Sequence, residues 1–507
     1  MKLLGIDVGT GGTRAVVIDE RGRVVAAATA EHAPFASPQT GWAEQDPHDW
    51  WRATQEAVRV VLNHTEVSTE EITAVGLSGQ MHGATLLDRS GEVLRPAIIW
   101  CDGRTSNQCN AITELIGPER LIDLVCNPAL AGFTLPKMLW VREHEPETWA
   151  AVRSVLLPKD YVRLQLTGER ATDVADASGT LLFDVVNRRW SQEMLAAFDL
   201  KESLLPAVFE SASVCANVSR AGAVATGLRE GTPVVAGGGD QAAGAVGLGI
   251  VQPGVVSATI GTSGVVFAAT DRPALDKRGR VHTFCHALPD RWHVMGVTQA
   301  AGLSLRWFRD TFGVSTLNAE PVTSENDIDP YELLCAEAAQ APAGADGVLW
   351  APYLMGERTP HLDPHARASL VGLTANHTRA HIIRAILEGV AFSLRDTLTI
   401  FAEMNVPVAA IRLGGGGARS PLWRQIQADI YGRAVSLAEA EEGAAYGAAL
   451  LAGVGSEVWP TVEAACAETV RVAQQVEPHP ATVELMNERY QAFRAVYPAL
   501  RHLGGVE

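Results

Sequence analysis

Leu3-Leu4-Gly5-Ile6-Asp7-Val8-Gly9-Thr10-Gly11-Gly12-Thr13 is the stretch whose pattern decides the fold. A short apolar run, Leu3–Ile6, ends at an acidic residue and a glycine turn, and Arg14–Ile18 then resumes a β-type pattern. After a turn at Arg21-Gly22, Val24–Thr29 reads as a further strand. A helix is predicted from Pro47-His48 through Trp51, Ala57 and Val61. The order is strand, glycine turn, strand, turn, strand, helix.

That order returns in the middle of the chain. Val255–Ile260 is apolar, Gly261-Thr262-Ser263-Gly264 makes a turn, and Val265–Ala269 continues as a strand. Trp292–Val297 supplies the third strand after a longer insertion, and Gln299-Ala300-Ala301-Gly302 leads into a helix carrying Leu305, Trp307 and Phe308. Two unrelated hairpins would carry the same letters, but two hairpins with Gly/Thr tips, each opening a half of similar length, favour duplication. Between them, Ile72–Leu77 and Pro233–Ala236 read as strands. Arg379–Leu394 reads as a helix, Ala410–Leu413 as a strand and Pro421–Tyr431 as a helix. Such alternation indicates an α/β fold. At 507 residues the chain is too long for one core. Two domains are expected, with the boundary in the small-residue stretch Gly244–Gly254.

Composition narrows the function classes. A formal charge of −17 disfavours a nucleic-acid or anionic-membrane partner. The opening residues carry no secretory pattern, and no apolar run reaches the roughly 20 residues that span a bilayer. Seven scattered cysteines without a CxxC pair predict a reduced, cytoplasmic protein. Neither a Walker A loop nor a GxSxG elbow is present. His282-Thr283-Phe284-Cys285-His286 lacks a second cluster to complete a zinc site.

Several segments could carry chemistry. The Asp7–Thr13 tip offers backbone N–H groups with little bulk around them, a nest for phosphate, and Thr10 and Thr13 add hydroxyls. Asp7, ending an apolar strand, is placed to hold Mg²⁺ through oxygen. A plain glycine hairpin with a surface Asp fits the same letters. Gly261–Gly264 could hold the other end of a phosphate chain. Gly414-Gly415-Gly416-Gly417 would let a flat ring approach the backbone, with Ser420 capping the next helix. Asp240 follows Gly237-Gly238-Gly239 at a strand end, where it could accept a hydroxyl proton or cap a helix. Gln80 and His82, in Ser78-Gly79-Gln80-Met81-His82-Gly83, could hydrogen-bond sugar hydroxyls.

Taken in order, these segments resemble the FGGY carbohydrate kinases over nearly the whole chain, and among them the kinases of xylulose. Further matching stretches are Trp100-Cys101-Asp102-Gly103-Arg104, Pro136-Lys137-Met138-Leu139-Trp140, Pro158-Lys159-Asp160-Tyr161 and Gly356-Glu357-Arg358-Thr359-Pro360-His361. The run from Ser369-Leu370-Val371-Gly372-Leu373 to Ala385-Ile386-Leu387-Glu388-Gly389 looks like the family's C-terminal signature. The resemblance implies two ribonuclease-H-like, actin-like ATPase domains with a catalytic cleft between them. Residues 1–247 would bind sugar and carry the base, and residues 248–507 would bind ATP.

Carried over residue by residue, the resemblance makes Asp240 the catalytic base and Asp7 the Mg²⁺-associated carboxylate. Gln80, Met81, His82, Asp240 and Gln241 would border the sugar. Gly9, Thr10, Gly11, Thr13, Gly261, Thr262 and Gly302 would line the phosphates of ATP, and Gly415, Gly416 and Ser420 the adenosine. Met81 and His82 stand where glycerol kinases carry an Arg-Glu pair, which points to D-xylulose and to D-xylulose 5-phosphate as product. Gln241 departs from the Asn common in xylulose kinases, so a related ketose or pentitol such as ribulose or xylitol stays open. From other classes, an actin-like ATPase and a non-catalytic sugar sensor stay open too. The expected partner is a small sugar rather than nucleic acid or membrane, and the resemblance suggests a homodimer.

Overall fold

The computed structural model describes residues 1–313, 329–439 and 443–503. Two compact units divide the chain. The first comprises Met1–Gln252, Ala269–Val294 and Ala440–Arg471, and the second Pro253–Ala268, Met295–Glu439 and Val472–Glu507.

In the first unit, Lys2–Val8, Gly12–Asp19 and Val24–Glu31 form an antiparallel meander. Ile72–Gly79 pairs in parallel with Lys2–Val8 on its other side, and Pro233–Val235 pairs in parallel with Ile72–Gly79. Val214–Asn217 closes the edge antiparallel. The helix Pro47–Leu62 starts where its sequence says it should: Pro47 occupies the first turn and the Asp46 side chain accepts from the His48 N–H. Its face of Trp50, Ala53, Ala57, Val58 and Val61 is buried against the meander. Fully burying each large apolar side chain there stabilises the unit by roughly 1.5–3 kcal/mol.

The opposite face of this sheet is covered by the helix Gly443–Gly455, whose small residues permit unusually close backbone contact. A Cβ on Gly5 would lie 1.9 Å from the Ala445 carbonyl oxygen, and one on Gly76 would lie 2.0 Å from that of Ala448. The same helix packs on Asp240–Gly247, where a Cβ on Gly447 would meet the Ala243 carbonyl oxygen at 1.8 Å. Side chains there would drive the layers apart, and the helix that begins with Asp240 would move with them.

The second unit repeats the plan. Six strands of its seven-stranded sheet run in the order Trp292–Thr298, Gly264–Thr270, Gly254–Ile260, Val408–Gly414, Val435–Ala438 and Val472–Val476. Gly254–Ile260 is antiparallel to Gly264–Thr270 and parallel to Val408–Gly414, which is parallel to Val435–Ala438. The edge strand is antiparallel, as in the first unit. The duplication expected from the two glycine hairpins is therefore present in strand order. Arg379–Glu403 is longer than the helix predicted to end at Leu394. Asp396, beyond the predicted end, is buried and accepts a hydrogen bond from the Tyr490 hydroxyl at 2.6 Å. Among the described residues no helix is long and apolar enough to cross a membrane.

Candidate active site

The first unit gathers its polar groups at the carboxyl ends of three neighbouring strands. Asp7 lies beside Ser78 in the parallel register, and Ser78 lies beside Gly238. Asp240 comes two residues later, so Asp7, Ser78 and Asp240 share one end of the sheet, the end where open α/β sheets bind ligands. The turn into Asp240 needs glycine. Gly237 has φ of +74°, and a Cβ there would lie 1.8 Å from the Leu77 carbonyl oxygen. Asp240 opens the helix Asp240–Gly247, and the capping position falls on Gly239, so capping is not what its carboxylate does.

Both acids are held away from their ordinary ionisation. Burial pushes Asp7 up to about 6, opposed by the neighbouring Ser78 hydroxyl and by the charge of Arg14. Burial and then the Asp7 charge push Asp240 up to about 7, opposed by hydrogen bonds from Gln241. Asp7 Oδ1 is buried without a hydrogen-bond partner. An oxygen of that kind beside a second carboxylate is what a hydrated Mg²⁺ ion satisfies, since Mg²⁺ takes one or two carboxylates and keeps waters. The residues present fit that ion. Among the described residues no group of three or more His, Cys, Asp and Glu side chains could hold a metal alone.

The glycine tip is rigidly tied. Gly9 N–H donates to the Gly12 carbonyl at 3.0 Å. Trp100 Nε1 donates to Thr10 Oγ1 at 2.9 Å, and Thr10 Oγ1 donates to Gln80 Oε1 at 3.2 Å. Gln45 Nε2 donates to the Thr10 carbonyl at 2.7 Å, while Gln80 Nε2 donates to Gln45 Oε1 at 2.8 Å. Thr13 is fully buried with its hydroxyl 2.9 Å from His32 Nε2. Thr10, Thr13 and Gln80 thus brace the tip, Gly9 closes its turn on Gly12, and Gly11 leaves its backbone uncovered. A Cβ on Gly11 would meet nothing within 4 Å. Gln45, Trp100 and His32 escaped the sequence reading because they reach the tip from distant segments.

The loop beyond Gln80 places Met81 against the Asp240 turn, where a Cβ on Gly239 would lie 2.8 Å from Met81 Cγ. His82 adopts a left-handed backbone, φ +69°. Its Nδ1 lies 2.6 Å from the Gly179 carbonyl oxygen, and its ring centroid lies 4.8 Å from that of Phe133. A neutral His82 therefore carries its proton on Nδ1, donated to that carbonyl. Gln241 follows Asp240 in the first helical turn. Met81, His82, Asp240 and Gln241 are brought to one end of the unit.

The second unit builds a cavity of about 910 Å³ lined in part by Gly261, Thr262, Gly302, Gly416 and Ser420. Leu303 N–H donates to the Thr262 carbonyl at 3.1 Å and Gly302 N–H to that of Gly261 at 2.8 Å. A Cβ on Gly302 would lie 2.4 Å from the Gly261 carbonyl oxygen. Gly415, with φ of +73°, sits behind the lining against Ile260, and Gly416 is open. Ser420 caps Pro421–Tyr431, accepting from the Trp423 N–H at 3.3 Å. Arg306 Nη2 lies 3.4 Å from Thr262 Oγ1, and Tyr331 and Cys335 complete a wall. The sequence reading missed these three. Arg306, four residues after Gly302 on one helix face, was within reach of periodicity, whereas Tyr331 and Cys335 come from a helix with no local signal.

Comparison with known proteins bears on this geometry. The N-terminal domain of the FGGY family of carbohydrate kinases matches residues 2–247, and its C-terminal domain matches residues 256–456. The chain belongs to the FGGY family of carbohydrate kinases. A family member from Bacillus subtilis (strain 168), described as "Xylulose kinase", is 38% identical over 99% of this chain and 97% of its own length. One from Escherichia coli (strain K12), described likewise, is 42% identical over 89% of this chain and 90% of its own. The crystal structure of a "xyloylose kinase" from Brucella ovis superimposes with a TM-score of 0.90 at 37% identity, covering 99% of this chain and 100% of that one. The two-domain α/β fold expected of the family is thereby shown, and the chain is a sugar kinase.

Proposed function

We propose that this FGGY kinase transfers the γ-phosphoryl group of ATP to D-xylulose, giving D-xylulose 5-phosphate and ADP. The observation that carries the chemistry is Asp240, a carboxylate raised to about 7 at the strand ends beside Asp7. The descriptions of the Bacillus subtilis and Escherichia coli relatives as xylulose kinases support the substrate.

Asp240 accepts the proton of the attacking sugar hydroxyl as its oxygen bonds to the γ-phosphorus and the bond to the β-phosphate oxygen breaks. A base near 7 is about half ionised at neutral pH and basic enough to take that proton. Met81 and His82 border the ketose. Gly11 leaves its backbone open to phosphate oxygens while Gly9, whose N–H goes to Gly12, holds the turn, and Thr262, Gly302 and the Gly415-Gly416 turn approach the nucleotide. Ser420 fixes the helix beside it. Asp7 would hold Mg²⁺, which when bound offsets phosphate charge. A homodimer in a reducing cytoplasm completes the proposal, and seven cysteines with no disulfide among them suit that compartment.

ADP release should be measured with D-xylulose, D-ribulose, L-ribulose, xylitol, gluconate and glycerol. D-Xylulose should give the highest kcat/KM. A different preferred sugar would overturn the substrate, and sugar-independent turnover would overturn the transfer reaction.

A further inference from the structure

One buried titratable group in the first unit has no part in the mechanism above. Lys137 lies on the helix Thr134–His144 and is completely buried. Among the described residues it has no ion-pair partner. Its Nζ donates instead to two main-chain oxygens, that of His82 at 2.9 Å and that of Gly132 at 2.7 Å. The Thr134 hydroxyl donates to the same His82 carbonyl at 3.1 Å. Two side chains from one helix thus converge on the carbonyl of the residue whose φ is +69°.

A buried amine with no carboxylate in contact, only the charge of Asp102 farther off, is a poor choice for packing alone, since a methionine of similar length would fill the space without desolvating a polar group. Burial brings Lys137 down to about 7, and a neutral amine still has two hydrogens, one for each carbonyl it meets. His82 has what such a clamp would hold. A non-glycine residue in the left-handed region persists only when its surroundings over-determine it. The side-chain end is fixed by Gly179, where a Cβ would lie 2.7 Å from His82 Cε1, and by the Phe133 ring. The main-chain end is fixed by Lys137 and Thr134.

We propose that Lys137 is a positioning residue of the sugar half-site: with Thr134 it holds the His82 carbonyl, fixes the left-handed turn and so aims the His82 ring at the ketose. The inference rests on the reading that His82 borders the sugar. Loss of the clamp lets the turn relax toward ordinary backbone angles and swings the ring away, while the cavity of the second unit is untouched.

The test is calorimetric binding of D-xylulose and, separately, of ADP to the full-length protein. The variants are Lys137→Met, Thr134→Val, His82→Ala and the double variant Lys137→Met/His82→Ala. Lys137→Met should weaken D-xylulose binding about tenfold and Thr134→Val about threefold, with ADP affinity within about twofold of wild type. In the His82→Ala background, adding Lys137→Met should change D-xylulose affinity less than about twofold, because the ring it aims is gone. Equal weakening of sugar and ADP, or an undiminished effect in that background, overturns the proposal. If Lys137→Met does not fold, Thr134→Val decides, and unchanged D-xylulose affinity in it counts against the clamp. Should His82→Ala bind D-xylulose as wild type does, the sugar reading itself falls. Should His82→Ala weaken binding while Lys137→Met does not, only the clamp falls.

Discussion

The two glycine hairpins occupy equivalent places in two sheets of one strand order, yet they are finished differently. The tip after Asp7 is braced by side chains: Trp100, Gln80 and Gln45 converge on Thr10, and His32 meets Thr13. The tip at Gly261–Gly264 is braced by backbone, through the N–H groups of Gly302 and Leu303. The first tip stands beside two carboxylates with raised pKa values, whereas the second borders a large cavity that carries Arg306. A shared topology fixes where a phosphate-sized group can approach. The residues added around each tip divide the labour, with proton and cation chemistry in the first unit and a bulk-free nucleotide cavity in the second.

The largest break in that comparison should come from Asp240→Asn. Removing the base lowers kcat about 10²- to 10⁴-fold with little change in the KM for ATP, as steady-state kinetics would read. Next is the second tip. Gly302→Ala puts a methyl 2.4 Å from the Gly261 carbonyl oxygen and should raise the KM for ATP about tenfold, leaving calorimetric D-xylulose affinity unchanged. Gly416→Ala, where a Cβ meets nothing within 4 Å, is the matched control and should shift it far less.

Smaller still is Gln45→Leu, which strips the first tip of a donor to the Thr10 carbonyl and leaves Trp50 Nε1 without its acceptor. Unsatisfied buried groups cost about 1–3 kcal/mol each, so thermal stability should drop and kcat/KM fall several-fold. The smallest effect runs the other way. Between about pH 4 and 7 the folded chain keeps on Asp240 a proton that the unfolded chain has released. The stability contributed by the neutral acid is therefore lost as pH rises through about 7. Asp240→Asn should raise the Tm at pH 8 by about 2 °C and leave it nearly unchanged at pH 4, by scanning calorimetry.

Much of this was open to reading in the chain itself, for reasons of local physics. Pro421–Tyr431 was delimited correctly because Ser420 caps one end and Gly432, φ +61°, ends the other. Both hairpins declared themselves through apolar runs broken by glycine. Asp240 could be singled out but not separated from a helix cap until the strand register put it beside Asp7. What stayed hidden depends on distant partners. The helix read as ending at Leu394 runs on past Asp396, which Tyr490 meets, and Gln80 looks like a sugar ligand until Gln45 and Thr10 take up its amide. The helix Gly443–Gly455 gives no sign in its own letters that it belongs on the first sheet, because the reason lies in Gly5 and Gly76.

The central claim is that Asp240 takes the proton during transfer to D-xylulose. Its most direct test is single-turnover transfer of labelled γ-phosphoryl from ATP to D-xylulose between pH 5.5 and 9, in wild type and Asp240→Asn. The wild-type rate should climb as pH rises through about 7 and then level off, following ionisation of the base. The variant should be slow throughout and lack that limb. A flat wild-type profile, or a variant that keeps the wild-type rate, would contradict the account.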